Sequence, residues 1–484
     1  MESFQGDIAR HRTAIVRNEL SRPVRIAIED ELLVAGRTFF DYGCGKGLDV
    51  AHLAAAGFDA GGWDPVHAKK QRLKEADVVN LGYVLNVIED PDERTEVVQK
   101  AWRLARRFLI VAVRLKDEAA GLVGRNFGDG LVTNRSTFQK FYGQRELRSW
   151  VEGVIGAPTL PAAPGVLYVF RDVQDLETVR AGRYFRQSEI ARLRADELFE
   201  EHRAVLAPVL EFAQARGRLP AALELANDSE LRDLFGSVRR AAAIVRTAVG
   251  GETWASVTER RRDDLRLYLG AAQLDEMPRF GELGVGLQQD VKAFFGSFRT
   301  ACEEARALLF AAGDSEQREA AALESPIGKL TQSALYVHTS AVGELPLILR
   351  AYEACARSFL GVVDGATLVK LVRDEPRVSY LFYPQFERNP HPALAASLRV
   401  NLATFDMKLT RYAGRANPPI LHRKEVFLTI DDPRRKRFAR LTRQEERFGL
   451  YESSRGIGTR QAWDALVAER GLTYRGHRLV RAAG

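Results

Sequence analysis

Asp41, Gly43, Gly45, Gly47 and Asp64 are the residues whose types and spacing could do chemistry. Thr38-Phe-Phe-Asp41 runs into Tyr-Gly-Cys-Gly-Lys-Gly47, where glycines alternate with Cys44 and Lys46 and leave a tight turn poor in side chains. A ligand can press against such a turn, and the N–H groups at the start of the following helix are expected to be open to it. Asp64 stands about 20 residues past the loop, at the tip of Phe58–Trp63, where a carboxylate can accept both hydroxyls of a ribose. The ligand is therefore expected to contain a nucleoside. A dinucleotide fingerprint would read G-x-G-x-x-G, whereas here an acid precedes the first glycine by two residues. A carboxylate in that place repels a pyrophosphate and suits an ammonium, which favours S-adenosylmethionine over NAD.

These residues need a strand, a loop and a helix to hold them. Thr38, Phe39 and Phe40 are β-forming, Leu48–Ala56 carries Val50, Leu53 and Ala54 on one helical face, and Gly57 suits a helix end. Ala76–Leu85 reads as a further strand. Asp90-Pro-Asp-Glu93 is a helix start, with Val97, Val98, Ala101, Trp102 and Ala105 expected to face a sheet. Phe108–Val113 is continuously apolar, as in a parallel sheet covered on both faces. A helix over 145–154 and a strand over Gly165–Phe170 close the domain.

Asp41, Gly43, Cys44, Gly45 and Gly47 match the D-x-G-C-G-x-G loop of class I S-adenosylmethionine-dependent methyltransferases, Asp64 matches their second-strand acid, and Ala76–Leu85 resembles their fourth strand. The resemblance implies an N-terminal Rossmann-like sheet and assigns Asp41 to the methionine ammonium, Asp64 to the ribose, and Asn80 to the cofactor edge. Only 13 residues separate Asp64 from Val78, too few for a helix and another strand. The third strand is expected to be missing or vestigial, and His67–Glu75 is the candidate replacement for the adenine wall. Asn80-Leu-Gly-Tyr83 has the end residues of the N-P-P-Y tetrad of amino-methylating nucleic-acid enzymes without its prolines, and its continuation reads like strands lacking that tetrad. Asn80 and Tyr83 are the candidate catalytic residues, where an acceptor would arrive.

Length suggests about three domains. A hydrophobic fraction of 46% permits sizeable cores, and no window of 18 uncharged apolar residues suggests a membrane span. A cytoplasmic protein is expected. The three cysteines, Cys44, Cys302 and Cys355, form no C-x-x-C pair, so neither a metal site nor a disulfide framework is expected. Cys44 is read as a small loop-filling residue rather than a redox sensor. Residues 1–30 read as a basic helical lead-in whose arginines, Arg10, Arg12 and Arg17 among them, are solvated or hold an anionic substrate.

The net charge is +7, yet residues 411–484 carry 17 Lys and Arg against 8 Asp and Glu, so the basic footprint is C-terminal. Residues 31–172 form the methyltransferase-like domain. Residues 173–329 are helical in period, including a helix over 291–311, and residues 330–430 switch to a period of two, as in an antiparallel sheet with one helix near 345–359. Residues 431–484 form a basic helical tail, opened by Pro433-Arg-Arg-Lys-Arg437, whose competing readings are a solvated face and a nucleic-acid contact. Asn417-Pro-Pro-Ile420 lacks an aromatic fourth residue and reads as a rigid turn.

A wider resemblance runs through Arg12–Ile15, Leu20–Pro23, Asp41–Gly45, Gly62–Pro65, Val79–Tyr83, Ala293–Gly296, Ala334–His338 and Asn417–Glu425. Together these look like the methyltransferase-like proteins associated with bacterial DNA phosphorothioation systems. That resemblance implies a nucleic-acid acceptor, with DNA favoured, and protein partners from such a system. The rival expectations are a cofactor-binding component without catalysis and a methyltransferase of small molecules or RNA.

Overall fold

The computed structural model describes residues 8, 10–13, 19–119, 122–184, 197–221, 224–249, 251–452 and 457–482. Arg17 and much of the expected lead-in lie outside these residues. Contacts divide the chain into two units, Met1–Leu176 with Arg357–Gly365, and Glu177–Ala356 with Ala366–Gly484. Among the described residues no helix is long and apolar enough to cross a membrane.

In the first unit α1 (Arg22–Glu29) starts on Pro23 and buries Val24, Ile26 and Ala27. There follow β1 (Thr38–Tyr42), α2 (Leu48–Ala55), β2 (Asp59–Trp63), β3 (Ala76–Gly82), α3 (Pro91–Leu104) and β4 (Ala105–Ala112). A small antiparallel sheet, β5 (Gly124–Phe127), β6 (Gly130–Thr133) and β7 (Phe138–Gln139), is inserted before α4 (Gln144–Ile155), β8 (Thr159–Ala163) and β9 (Val166–Phe170). The main sheet has the order β2-β1-β3-β4-β9-β8. Its first four strands are parallel, and β9 runs antiparallel to both neighbours.

This is the expected Rossmann-like α/β sheet, and it has no strand between β2 and β3. Residues 65–75 are turns and irregular chain instead. From β1 the chain turns to one side for β2 and then crosses to the other for β3, so the strand order switches at the carboxyl ends of β1 and β3. A ligand crevice belongs at such a switch point.

Val78, Val79, Leu81, Leu109, Ile110, Val111 and Leu167 are completely buried, which is why these strands read as unbroken apolar runs. Asp90 caps α3 by accepting from the Asp92 N–H at 2.9 Å. That helix ends one residue sooner than expected, and Ala105 opens β4. Arg171 stops it there: its guanidinium lies 3.7 Å from the centre of the Trp102 ring and donates to the Trp102 and Ala105 carbonyls. At the far edge the Val362 N–H donates to the Ala162 carbonyl at 2.8 Å.

After α5 (Val173–Gly182), within which the division between the units falls, the second unit is helical up to Leu323, with α6 (Glu197–Glu201), α7 (Arg203–Arg216), α8 (Asp228–Phe235), α9 (Val238–Val249), α10 (Gly251–Gln273), α11 (Val285–Phe295), α12 (Phe298–Gly313) and α13 (Ser315–Leu323). The single helix expected over 291–311 is two, because Gly296 turns left-handed at φ +71° and Ser297 caps the next helix. A six-stranded antiparallel meander follows: β10 (Lys329–Leu330), β11 (Ala334–His338), β12 (Leu368–Val372), β13 (Arg377–Phe382), β14 (Ala396–Asn401) and β15 (Asp406–Arg411), with α14 (Leu347–Leu360), whose residues from Arg357 on are counted with the first unit, after β11. The tail adds α15 (Arg435–Arg447), α16 (Arg460–Glu469) and a hairpin, β16 (Leu472–Tyr474) and β17 (Leu479–Arg481). Asn417-Pro-Pro forms a rigid connection: the Asn417 side chain accepts from the Gln461 N–H, and the Pro418 and Pro419 carbonyls accept from Arg460 and Leu394.

Candidate functional site

A cavity of about 330 Å³ opens at the switch point of the first unit. Asp41, Gly43, Cys44, Gly45, Asp64, Asn80 and Tyr83 all line it. Gly47 does not. It sits at φ +74° at the start of α2, and its N–H donates to the Cys44 carbonyl, so its part is to turn the chain.

Gly43 is constrained twice. Its φ is +83°, and a Cβ there would fall 2.5 Å from Cγ2 of Val84. The N–H groups of Gly43 and Cys44 both donate to the Trp63 carbonyl, and that of Gly45 donates to Asp64 Oδ2 at 3.1 Å. With Gly47 also satisfied internally, four N–H groups of the loop are used by the protein. The turn from strand to loop takes up these four donors, whereas the expected open donors are those of the first turn of α2, Leu48 to Val50, which these bonds do not touch.

Asp64 also accepts from the Val66 and His67 N–H groups through Oδ1. Asp41 is buried at the end of β1, where its Oδ1 accepts from Asn80 Nδ2 at 2.8 Å. The Oδ1 of Asn80 has no hydrogen-bond partner among the described residues, although the side chain is only 2% exposed. A buried amide oxygen without a partner costs free energy unless a ligand donor meets it. Ser21, buried at the same cavity, donates its N–H to Asp49 at 2.7 Å and leaves its hydroxyl similarly unmatched. The site therefore displays acceptors and carboxylates: Asp41, Asp49, Asp64 and Glu93 against Arg10, Lys46 and Lys100.

Arg10 departs from the expected anion-holding arm. Its guanidinium makes four hydrogen bonds of 2.7–2.9 Å to Glu89 and Glu93, and those carboxylates raise its pKa. Already neutralised, it ties the N-terminal segment to the start of α3. Burial, with Asp41 and Asp64 alongside, pushes the Cys44 thiol up to about 12, which suits a filler and not a redox sensor.

Tyr83 has φ +63°, a rare conformation for a side chain of its size, and its N–H donates to the Ala112 carbonyl at 2.7 Å. It lines a second cavity as well, of about 690 Å³, bounded by the β5–β7 insert. Of the loop expected to replace the third strand, His67 reaches the first cavity, together with Pro65 and Val66 just before it. Tyr42 and Trp63 stand there too, their ring centres 5.3 Å apart. Sequence reasoning overlooked Tyr42, Trp63, Ser21 and Asp49. An aromatic at the last position of each of two adjacent parallel strands was a usable signal; the contact of Ser21 with Asp49 left none.

Strand order and the crevice at its switch point define a Rossmann-like α/β unit. No protein-family model matches the sequence, and no curated protein does. Among solved structures the chain is similar to magnesium protoporphyrin IX methyltransferase from Synechocystis PCC 6803 with bound S-adenosylhomocysteine: 17% identity, 34% of this chain and 93% of that one, TM-score 0.24. It is also similar to the Burkholderia thailandensis 1,6-didemethyltoxoflavin-N1-methyltransferase with its substrate and S-adenosylhomocysteine: 14% identity, 34% and 79% coverage, TM-score 0.22. Overlap at those TM-scores adds no weight to the strand order itself.

Proposed function

We propose that the chain is an S-adenosylmethionine-dependent methyltransferase acting on nucleic acid, DNA in preference, in a bacterial DNA phosphorothioation setting. The observation that carries the cofactor reading is the chemistry of the first cavity: carboxylates and an unmatched buried amide oxygen, with the N–H groups of Gly43, Cys44 and Gly45 turned to Trp63 and Asp64. Such a lining repels a pyrophosphate and accommodates a ligand bearing ammonium and sulfonium charges. Asp41 and the Asn80 oxygen would take the ammonium, Asp64 the ribose, and Tyr42, Trp63 and Val66 the adenine.

S-adenosylmethionine supplies an electrophilic methyl group when bound. What this chain adds is position: β3 ends at Gly82, and the strained backbone of Tyr83 sets its side chain between the two cavities. Alignment of donor and acceptor needs no strong base, so orientation carries much of the rate. Asn80 and Tyr83 are the residues proposed at that junction.

The nucleic-acid part rests on charge. Along α15, Lys436, Arg440, Arg443 and Arg447 recur at spacings of four, three and four, so they share one helical face. All four are exposed, with no hydrogen bond or ion pair among the described residues. Arg434 and Arg435, by contrast, are engaged with Asp432, Glu387 and the Leu428 carbonyl.

Calorimetric titration with S-adenosylmethionine tests the cofactor; absence of heat with the intact chain would end the reading, and Asp64→Ala should weaken binding at least tenfold. Tritiated cofactor with DNA or total RNA then identifies the acceptor. Label on neither polymer would favour the alternative of a cofactor-binding component without catalysis.

A further inference from the structure

The second cavity of the first unit meets the first along Thr13, Tyr83 and Val87, at the carboxyl ends of β3 and β4. Its outer wall is the β5–β7 insert, which the Rossmann-like sheet does not need for its own closure. Two features set it apart from the cofactor cavity. Its charge is reversed, with Arg114 and Arg135 against Glu118 alone. Its lip is apolar: Leu122 and Val123 are adjacent and 36% and 72% exposed.

Arg135 is presented on a built turn. The Ser136 N–H donates to the Thr133 carbonyl, Thr133 Oγ1 meets Thr137 Oγ1 at 2.7 Å, and the Arg135 N–H donates to Thr133 Oγ1. No side-chain partner of Arg135 occurs among the described residues, and the residue is exposed. Asn86, 1% exposed, fixes the inner side by accepting from the Arg114 N–H at 2.9 Å and donating to the Lys140 carbonyl. Glu118 lies 3.5 Å from Arg114 and also accepts from the Leu115 N–H, so it offsets Arg114 and leaves Arg135 as the cation unmatched at the mouth.

We infer that this cavity is the acceptor pocket, and that it takes an acceptor with an apolar face and one negative group, the face on Leu122 and Val123 and the charge at Arg135. A nucleotide within a single strand and a free mononucleotide both have that chemistry. The inference rests on the reading of the first cavity as the cofactor site, because only then does Tyr83 mark the junction of donor and acceptor.

The test uses the full chain carrying Lys436→Ala, Arg440→Ala, Arg443→Ala and Arg447→Ala, so that the tail does not mask the pocket. Binding of a fluorescein-labelled mixed-sequence 12-nucleotide single-stranded DNA is followed by anisotropy with S-adenosylhomocysteine present. Adding Arg135→Ala should weaken binding about tenfold, the value of one charge-assisted phosphate contact, and Arg135→Lys should restore most of it. S-adenosylmethionine affinity by calorimetry should stay within about twofold. Competition by the four deoxynucleoside monophosphates identifies a free nucleotide as the source; resistance to them identifies the strand. Either result supports the pocket. No binding by the tail variant, or equal binding with Arg135→Ala and Arg135→Glu, overturns it. Failure of the cofactor reading shows separately, as absent calorimetric heat in the unaltered chain.

Discussion

Replacing Gly43 with alanine should disable the first cavity, and Gly47→Ala is its internal control. Both glycines lie in the left-handed region, at φ +83° and +74°, where an L side chain costs about 1–2 kcal/mol. A Cβ on Gly47 would meet nothing within 4 Å, so that cost is its whole penalty. A Cβ on Gly43 would sit 2.5 Å from Cγ2 of Val84, a clash that needs the loop or Val84 to move, at about 1–3 kcal/mol more. Urea unfolding should therefore place Gly43→Ala about 1–3 kcal/mol below Gly47→Ala. Adding Val84→Ala should recover the steric part, giving a favourable coupling of similar size in the double-mutant cycle. Calorimetry with S-adenosylhomocysteine should separate the two glycines further, because Gly43 lines the cavity and Gly47 does not. Equal destabilisation by the two alanines, or no coupling to Val84, would refute the reasoning.

Removing four cations from the α15 face, Lys436, Arg440, Arg443 and Arg447, should reduce the slope of log affinity against log salt for duplex DNA by up to about 3–4; an unchanged slope takes that helix out of the interface. In the second unit His391 lies between Glu445 and the Leu421 carbonyl, 2.7 Å from the carboxylate, and both side chains are almost wholly buried, so His391→Ala should cost about 1–3 kcal/mol in urea unfolding, the penalty of leaving buried acceptors short of a donor. Burial alone would raise the Glu445 carboxyl, but hydrogen bonds from His391, Tyr451 and Tyr474 outweigh it and hold the pKa below its ordinary value. That contribution is complete above the unfolded pKa of about 4.3 and is lost as pH falls through the folded value. Melting temperature should accordingly drop on acidification below about pH 5, and Glu445→Gln should flatten the drop. Cys44, its thiol pushed up to about 12, should resist iodoacetamide at pH 8 in the folded chain; rapid alkylation seen by mass spectrometry would contradict the half-buried, carboxylate-flanked setting.

Local patterns were readable wherever one short segment carried the whole instruction. Thr38–Gly47 spelled strand, turn and helix, and the 13 residues between Asp64 and Val78 left no room for another strand; the sheet order agrees. The meander from β11 to β15 was equally plain, because β11 to β13 are short apolar runs bounded by turn residues and β14 and β15 alternate in exposure. Three features were not readable. The insert β5–β7 has short strands of two to four residues, two of them opened by a glycine, too brief for any period to register. Arg10 looked like a solvated or anion-binding arginine because its partners, Glu89 and Glu93, lie about 80 residues away and pair with it only in three dimensions. The bonds of the Gly43 and Cys44 N–H groups left no trace because nothing local shows that the Trp63 carbonyl, from the neighbouring strand, accepts both.

Loss of the third strand makes β2 the edge of the sheet, and the composition of β2 answers that change. It is five residues long and contains Gly61-Gly62, a poor template for pairing with another chain. Gly62 does more than shorten the edge. A Cβ there would lie 2.9 Å from Val50 Cγ2, 3.0 Å from Cys44 Cβ and 3.2 Å from the Asp41 carbonyl oxygen, so the bare backbone lets β2 close onto the glycine loop. That closeness allows the Trp63 carbonyl to collect the Gly43 and Cys44 N–H groups and Asp64 to reach Gly45. With no outer strand to carry an adenine wall, the apolar and aromatic surface at this end comes from Tyr42, Trp63 and Val66, at the tips of β1 and β2 and in the turn after them. One glycine on an edge strand thus positions the carboxylate on which the ribose assignment depends.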